Sequence, residues 1–222
     1  DDMIPSFFEL TRAVHDVGGK IAMQIAHAGA QTTVRSTANQ SVWAPSAVHS
    51  NTFKKTPKAL TQREIKSVVR AFADAAQRAK RAGFDAVQLH AAHGYLVSRF
   101  LSPSTNIRTD VYGGPIENRA RFLFQIYRAV RKAVGKDFPV LVKLNGKDFL
   151  PRGLTVRDAL FVSKELDRMG IDAIEISGGT PASGSLGPAR PHIDAGDKEA
   201  YFMPLAKKIN KEISTPVILV GG

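Results

Sequence analysis

The sequence contains no cysteine. Disulfides, thiol catalysis, cysteine-ligated zinc and iron–sulfur clusters are therefore excluded for this stretch of chain. A chain without disulfides fits the cytoplasm, and a cytoplasmic location is the expectation. No apolar run approaches the ~20 residues needed to cross a bilayer, so no membrane partner is expected. No G-x-G-x-x-G follows an apolar run, which counts against a dinucleotide-binding doubly wound sheet. Repeats, low-complexity tracts and an internal domain boundary are also lacking. Acidic residues are in deficit, 20 against 31 Lys and Arg, giving a net charge of +11. The excess comes in short pairs, Lys54-Lys55, Lys80-Arg81, Arg131-Lys132 and Lys207-Lys208. The last three fall late in predicted helices, where cations complement the helix dipole. Solvated helix ends explain them better than a nucleic-acid surface does, and no nucleic acid is expected.

What is present is a rhythm of five helix–strand units. Ser6 and Glu9 have capping-box spacing ahead of an apolar stripe Phe7, Leu10, Val14, Val17. Gly18-Gly19 stops that helix, and residues 21–25 read as a strand. Thr61 and Glu64 open a second helix with Ile65, Val68, Val69, Phe72 and Ala76 on one face. It ends at Gly83, before a strand over 85–89. A third helix is predicted over 118–134, with a strand at 140–144. Thr155 and Asp158 open a fourth helix, closed by Gly170 before a strand at 173–176. A fifth helix over 198–213 leads to a strand at 217–220. Alternating helices and short, continuously apolar strands imply a parallel sheet covered by helices. His27, His90, Lys143, Ser177-Gly178-Gly179 and Gly221-Gly222 all fall at or just beyond strand ends, where a (β/α)₈ barrel carries its chemistry. The expected fold is thus an α/β TIM barrel with about five units present, residues 1–222 forming one domain incomplete at both ends.

The densest polar segment follows the second strand. His90, His93 and Tyr95 supply three adjustable hydrogen-bond donors after one strand, able to hold a carbonyl oxygen and deliver a proton. The same H-x-x-H pair could bind a metal, but no clear third ligand accompanies it, and no metal is expected. A purely structural pair of histidines is the other alternative. Lys143 stands in an apolar strand and needs a partner; Asp85, Asp148 and Glu175 are the candidates. Gly221 and Gly222 either offer backbone N–H groups to a phosphate or form a plain turn. Arg108, Asp110, Arg119 and Arg121 read as loop-fixing ion pairs, and His27 as structural.

The run His90-Ala91-Ala92-His93-Gly94-Tyr95-Leu96 continues through Phe100-Leu101-Ser102-Pro103, then Asn106, Arg108, Asp110, Tyr112-Gly113-Gly114 and Asn118-Arg119. In that order it resembles the signature of the old yellow enzyme, or NADH:flavin oxidoreductase, family. Gln24-Ile25-Ala26-His27-Ala28-Gly29 resembles that family's third strand, and Val142-Lys143-Leu144 its fifth. The resemblance covers essentially the whole chain and implies that the first two strands and the last lie outside it. It implies non-covalent FMN, NADH or NADPH as reductant, and a small-molecule substrate with an activated C=C bond: an enone, an enoate or a dienoyl-CoA. Hydride would pass from flavin N5 to the alkene. Carried over residue by residue, His90 and His93 would hold the substrate carbonyl and Tyr95 would protonate the carbon alpha to it. Gln24 would meet the flavin's pyrimidine edge, and Lys143 would lie near N1 and O2. Gly221 and Gly222 would approach the FMN phosphate. A homo-oligomer stays open. The competing readings are a phosphate-binding barrel lyase or isomerase using Lys143, and an inactive fragment.

Overall fold

The structure is a computed structural model that describes residues 1–32, 41–194, 196 and 198–221. Five parallel strands form one sheet in chain order: β1 (Ala22–Ile25), β4 (Ala86–Ala91), β5 (Val140–Asn145), β6 (Ala173–Ser177) and β7 (Val217–Leu219). A separate parallel pair, β2 (Trp43–Ala44) and β3 (Lys58–Ala59), lies within the long excursion after β1. The connecting helices are α1 (Ile4–His15), α2 (Gln62–Arg81), α3 (Leu96–Leu101), α4 (Ile116–Arg119), α5 (Arg121–Val134), α6 (Val156–Arg168) and α7 (Met203–Asn210).

The best-capped helices are those with complete sequence signals. Thr61 accepts from the Glu64 backbone N–H while the Glu64 carboxylate accepts from the Thr61 N–H, and Thr155 with Asp158 repeats the arrangement. Each box satisfies two donors that a helix start otherwise leaves unpaired. α2 buries Ile65, Val68, Phe72, Ala76 and Ala79, and α5 buries Phe122, Ile126 and Val130. Both faces feed one continuous core with the outward faces of β4 and β5.

Five expectations need correction. The Ser6–Glu9 box does not form: α1 starts at Ile4 with Pro5 in its first turn, so Ser6 is already inside the helix. Its predicted stripe fails at both Leu10 and Val17, which are exposed; Thr11 is the buried residue, its hydroxyl bonded to Phe8 O and Ala82 O. The helix predicted over 118–134 is two helices, α4 and α5, meeting at Ala120. The fifth helix starts only at Met203, with Phe202 as its N-cap. Conversely β4 runs two residues past the predicted strand and takes in His90 itself.

The barrel interior is polar near the C-terminal strand ends. Gln24 and Gln88 are register partners, as are His90 with Lys143 and Lys143 with Glu175. The period-2 alternation of a strand puts Gln88 and His90 on one face of β4.

Candidate active site

Residues 92–95 turn sharply out of β4. His93 adopts a left-handed φ of 60° and Gly94 a φ of 78°. A non-glycine residue there is strained, a feature that clusters at functional sites. The positive φ at Gly94 favours glycine, and a Cβ there would also displace the Gln31 amide, 2.6 Å away. The turn folds the rings together. His90 and His93 pack edge to face with centroids 5.1 Å apart, and Tyr95 meets His90 the same way at 4.8 Å. The site residues expected after the second strand are thus side by side.

Each ring is oriented from behind. His90 Nδ1 accepts from the Ala92 N–H, so the neutral ring carries its proton on Nε2. His93 Nε2 lies 2.7 Å from Ser177 Oγ at the end of β6. Asn145, fully buried at the end of β5, accepts from the His93 N–H and donates to Asp148 and to Gly179 O. Burial, with the Lys143 charge nearby, holds His90 down to about 4. Burial and the neighbouring His90 and Lys143 hold His93 down to about 3. At neutral pH both are neutral donors, with the charged form of His90 on the order of one in a thousand. Among the described residues, no three His, Cys, Asp or Glu side chains gather as metal ligands.

Beneath the rings runs a hydrogen-bonded row across four strands. Gln24 Nε2 donates to Gln88 Oε1 at 2.6 Å, and Gln88 Nε2 donates to Glu175 Oε2 at 2.7 Å. Lys143 Nζ donates to Glu175 Oε1 at 2.6 Å, both side chains being 14% exposed. Of the three partners considered for Lys143, Glu175 is the one it meets. Gln24 is exposed on the interior, so its carbonyl and remaining N–H stay available there.

Gly221 lies at the end of β7 with φ 115°, and a Cβ on it would meet Tyr201 at 2.8 Å. Only glycine suits that conformation, and its bare backbone is open to close approach. Gly222 lies outside the described residues. Of the residues read as loop-fixing ion pairs, Arg108, Asp110 and Arg119 form them, whereas Arg121 bonds Val111 O and Asn118 Oδ1 and pairs with no carboxylate among the described residues. Arg108 pairs with Asp110 and bonds Pro45 O and Leu60 O; Arg119 pairs with Asp158 and bonds Leu101 O and Gly114 O. His27 stacks on Trp43, while its Nδ1 accepts from the Gly29 N–H.

Sequence reasoning missed Gln88, Asn145 and the hydrogen bond of Ser177. Gln88 had a usable signal, since it stands two residues before His90 on the same strand face. Asn145 had none, because its role depends on the turn at His93.

The sequence profile of the NADH:flavin oxidoreductase / NADH oxidase family matches residues 1–222. The chain belongs to that family. It is 40% identical over its whole length to an NADH oxidase of Thermoanaerobacter brockii, of which it spans 33%, and 40% identical to an NADPH dehydrogenase of Geobacillus thermodenitrificans, of which it spans 61%. Among solved structures it is similar to a 2-naphthoyl-CoA reductase (TM-score 0.86, 29% identity, 98% of this chain and 34% of that one). It is also similar to the old yellow enzyme homologue of Zymomonas mobilis (TM-score 0.80, 29% identity, 100% and 62%). A morphinone reductase in complex with tetrahydroNAD gives a TM-score of 0.78 at 29% identity, over 98% and 60%. The five-stranded sheet is therefore part of the family's (β/α)₈ barrel, and the expected fold holds.

Proposed function

We propose that this chain supplies the substrate pocket and much of the flavin-facing wall of an FMN-dependent NAD(P)H oxidoreductase that reduces carbonyl-activated C=C bonds. The observation that carries the reading is the convergence of two neutral imidazoles and a phenol at the end of β4. Bound FMN, reduced by NADH or NADPH, would supply the hydride. The residues present suit such a group: an exposed amide at Gln24, a cation at Lys143 and a bare backbone at Gly221.

His90 donates from Nε2 to the carbonyl oxygen of an enone or enoate. With Ser177 Oγ–H donating to His93 Nε2, Nδ1–H would be left to donate to the same oxygen. Two neutral donors polarise the alkene without offering a mobile proton, because their imidazolium forms are almost absent at pH 7. The proton for the alpha carbon comes from the Tyr95 hydroxyl, whose ring is held against His90. Gln24 offers an acceptor and a donor to the pyrimidine edge of the flavin. Lys143, held by Glu175, would offer a positive charge to a bound flavin, whose reduced ring carries negative charge. A Schiff-base lysine would have to give up that ion pair, which disfavours the lyase reading.

The test is spectroscopic and kinetic. The purified full-length protein should show flavin absorbance, bleach with NADH or NADPH under anaerobic conditions, and recover its colour on adding a plain cyclic enone. Absence of flavin bands, or bleaching with no recovery by any enone or enoate, would sink the proposal.

A further inference from the structure

Arg99, in α3, is unlike the other buried arginines. It is 7% exposed, and burial lowers its pKa, as expected of a desolvated cation. Arg108 and Arg119 each hold a carboxylate and backbone carbonyls. The Arg99 guanidinium has neither ion-pair nor hydrogen-bond partner among the described residues, and its buried Nε is unsatisfied. A buried cation without a direct partner is strongly unfavourable; Asp148 lines the same cavity but makes no ion pair with Arg99, so the guanidinium is left able to take a further anionic group.

The guanidinium lines a cavity of about 60 Å³. That is space for several water-sized groups, enough for a carboxylate or phosphate head. The remaining walls carry hydroxyls: Ser98, together with Ser102, which already shares a hydrogen bond with Ser104, and Thr180, which shares one with Ser183 and accepts from the Ala182 N–H. Ser98 Oγ already accepts from the Gly94 N–H, which leaves its own O–H free to donate inward. The one acidic wall residue, Asp148, has both oxygens engaged, Oδ1 by Asn145 Nδ2 and Oδ2 by the Leu154 N–H, each at 2.8 Å. Burial also raises its pKa, which weakens its repulsion of an anion.

The cavity adjoins the substrate turn without being part of it. Gly94, next to His93, forms one wall, and Gln31, another wall residue, donates its side-chain N–H to His93 O. Gly221 is not among its lining residues, so the cavity is distinct from the proposed FMN phosphate position. We propose that this cavity is an oxyanion site in which Arg99 and the surrounding hydroxyls bind a carboxylate or phosphate group behind the His93 turn.

The test uses the full-length protein with its flavin bound. Calorimetric titration with inorganic phosphate at constant ionic strength should give saturable binding. Arg99→Gln should weaken it about tenfold or more, the loss expected of a charge-assisted contact, and Arg99→Lys should fall between. Flavin absorbance of each variant reports whether it is folded. Should Arg99→Gln not fold, Ser98→Ala, which removes one inward donor, should still weaken binding several-fold. A second arm finds the source of the anion by comparing a neutral cyclic enone with the same enone carrying a carboxylate on a short linker. If the anion belongs to the substrate, Arg99→Gln and added phosphate raise KM for the acidic enone alone. If it is a free ion, phosphate binds and neither KM moves. Both results support an oxyanion site. No saturable phosphate binding, together with an acidic-enone KM unchanged in Arg99→Gln, overturns it and leaves a guanidinium bridged to Asp148 by water.

Discussion

β1 and β4 are adjacent parallel strands, yet they prepare their functional residues in opposite ways. Every residue of β4 is buried, while β1 alternates exposed and half-buried. The polar groups of β4 and its turn have their partners in place: His90 with Ala92, His93 with Ser177 and Asn145, Gln88 with Glu175. Gln24 on β1 has one partner and an otherwise open face. The groups of β4 are thus held by strands on both sides, whereas Gln24 stands on the edge strand of the sheet, where one flank has no neighbouring strand and exposure follows from that position. Preorganised donors cost nothing to arrange when charge develops, which is where a reductase gains most from them.

If that contrast is right, the largest kinetic effects lie beside β4. Tyr95→Phe in the full-length protein should slow reduction of a plain cyclic enone by ~10²–10⁴, the usual cost of losing a general acid. Flavin reduction by nicotinamide should stay nearly unchanged, because that step needs no phenol. The ring and its packing on His90 are retained, so the melting temperature should barely move. Stopped-flow measurement of both half-reactions decides. Equal slowing of the two would make Tyr95 a flavin-positioning residue and would erase the contrast.

Lys143→Met should come next, slowing flavin reduction on the order of 10²-fold if its charge stabilises the reduced ring. It also strands the Glu175 carboxylate at 14% exposure, so the single variant will lose stability as well. The double variant Lys143→Met/Glu175→Gln separates the two effects. It should recover much of the melting temperature and none of the flavin-reduction rate. Recovery of both would make Lys143 purely structural.

The sequence was most legible where local rules and packing agree. Thr61–Glu64 and Thr155–Asp158 have the capping spacing, adjoin strong apolar stripes, and form as expected. Ser6–Glu9 has the same spacing, but Pro5 favours an earlier start, and its stripe meets little packing. Spacing alone could not rank these starts. At the site, the H-x-x-H-x-Y run singled out by residue type the three rings that pack together in the fold. Their closeness depends on the left-handed backbone at His93, and residue type does not show that conformation. The partners that orient them, Asn145 and Ser177, come from the ends of β5 and β6. They are joined to His93 only through strand register, which is a property of the folded sheet.

The depressed histidines give a pH test of intermediate size. Both have folded-state pKa values below the ordinary 6.5, His90 at about 4 and His93 at about 3. A group with a depressed pKa contributes stability that is present above its unfolded value and is lost as pH falls toward its folded one. The protein should therefore lose stability from about pH 6.5 downward, unfolding with uptake of about two protons from this pair. Phenol binding to the oxidised holoenzyme should stay flat between about pH 6 and 8, since neither ring changes charge there. An inflection in affinity near pH 6.5 would mean that a ring titrates normally, and the β4 turn would then be no drier than β1.

The smallest effect tests the same contrast at the helices beside the two strands. α2 covers β4, and its cap combines two backbone donors with two side-chain acceptors. Thr61→Ala removes the hydroxyl that accepts from Glu64 N–H and should cost about 1 kcal/mol. For a protein of this size that is roughly 2–4 °C in melting temperature. α1, which leads into β1, carries Ser6 as an exposed residue inside the helix with no capping bond. Ser6→Ala removes nothing there and substitutes the better helix former, so stability should hold or rise slightly. Paired thermal melts of the two variants make the comparison, with Thr155→Ala as a second capped control. A loss at Ser6 equal to that at Thr61 would show that the first helix is capped in solution as its spacing suggests. The starting point of α1 at Ile4 would then be wrong.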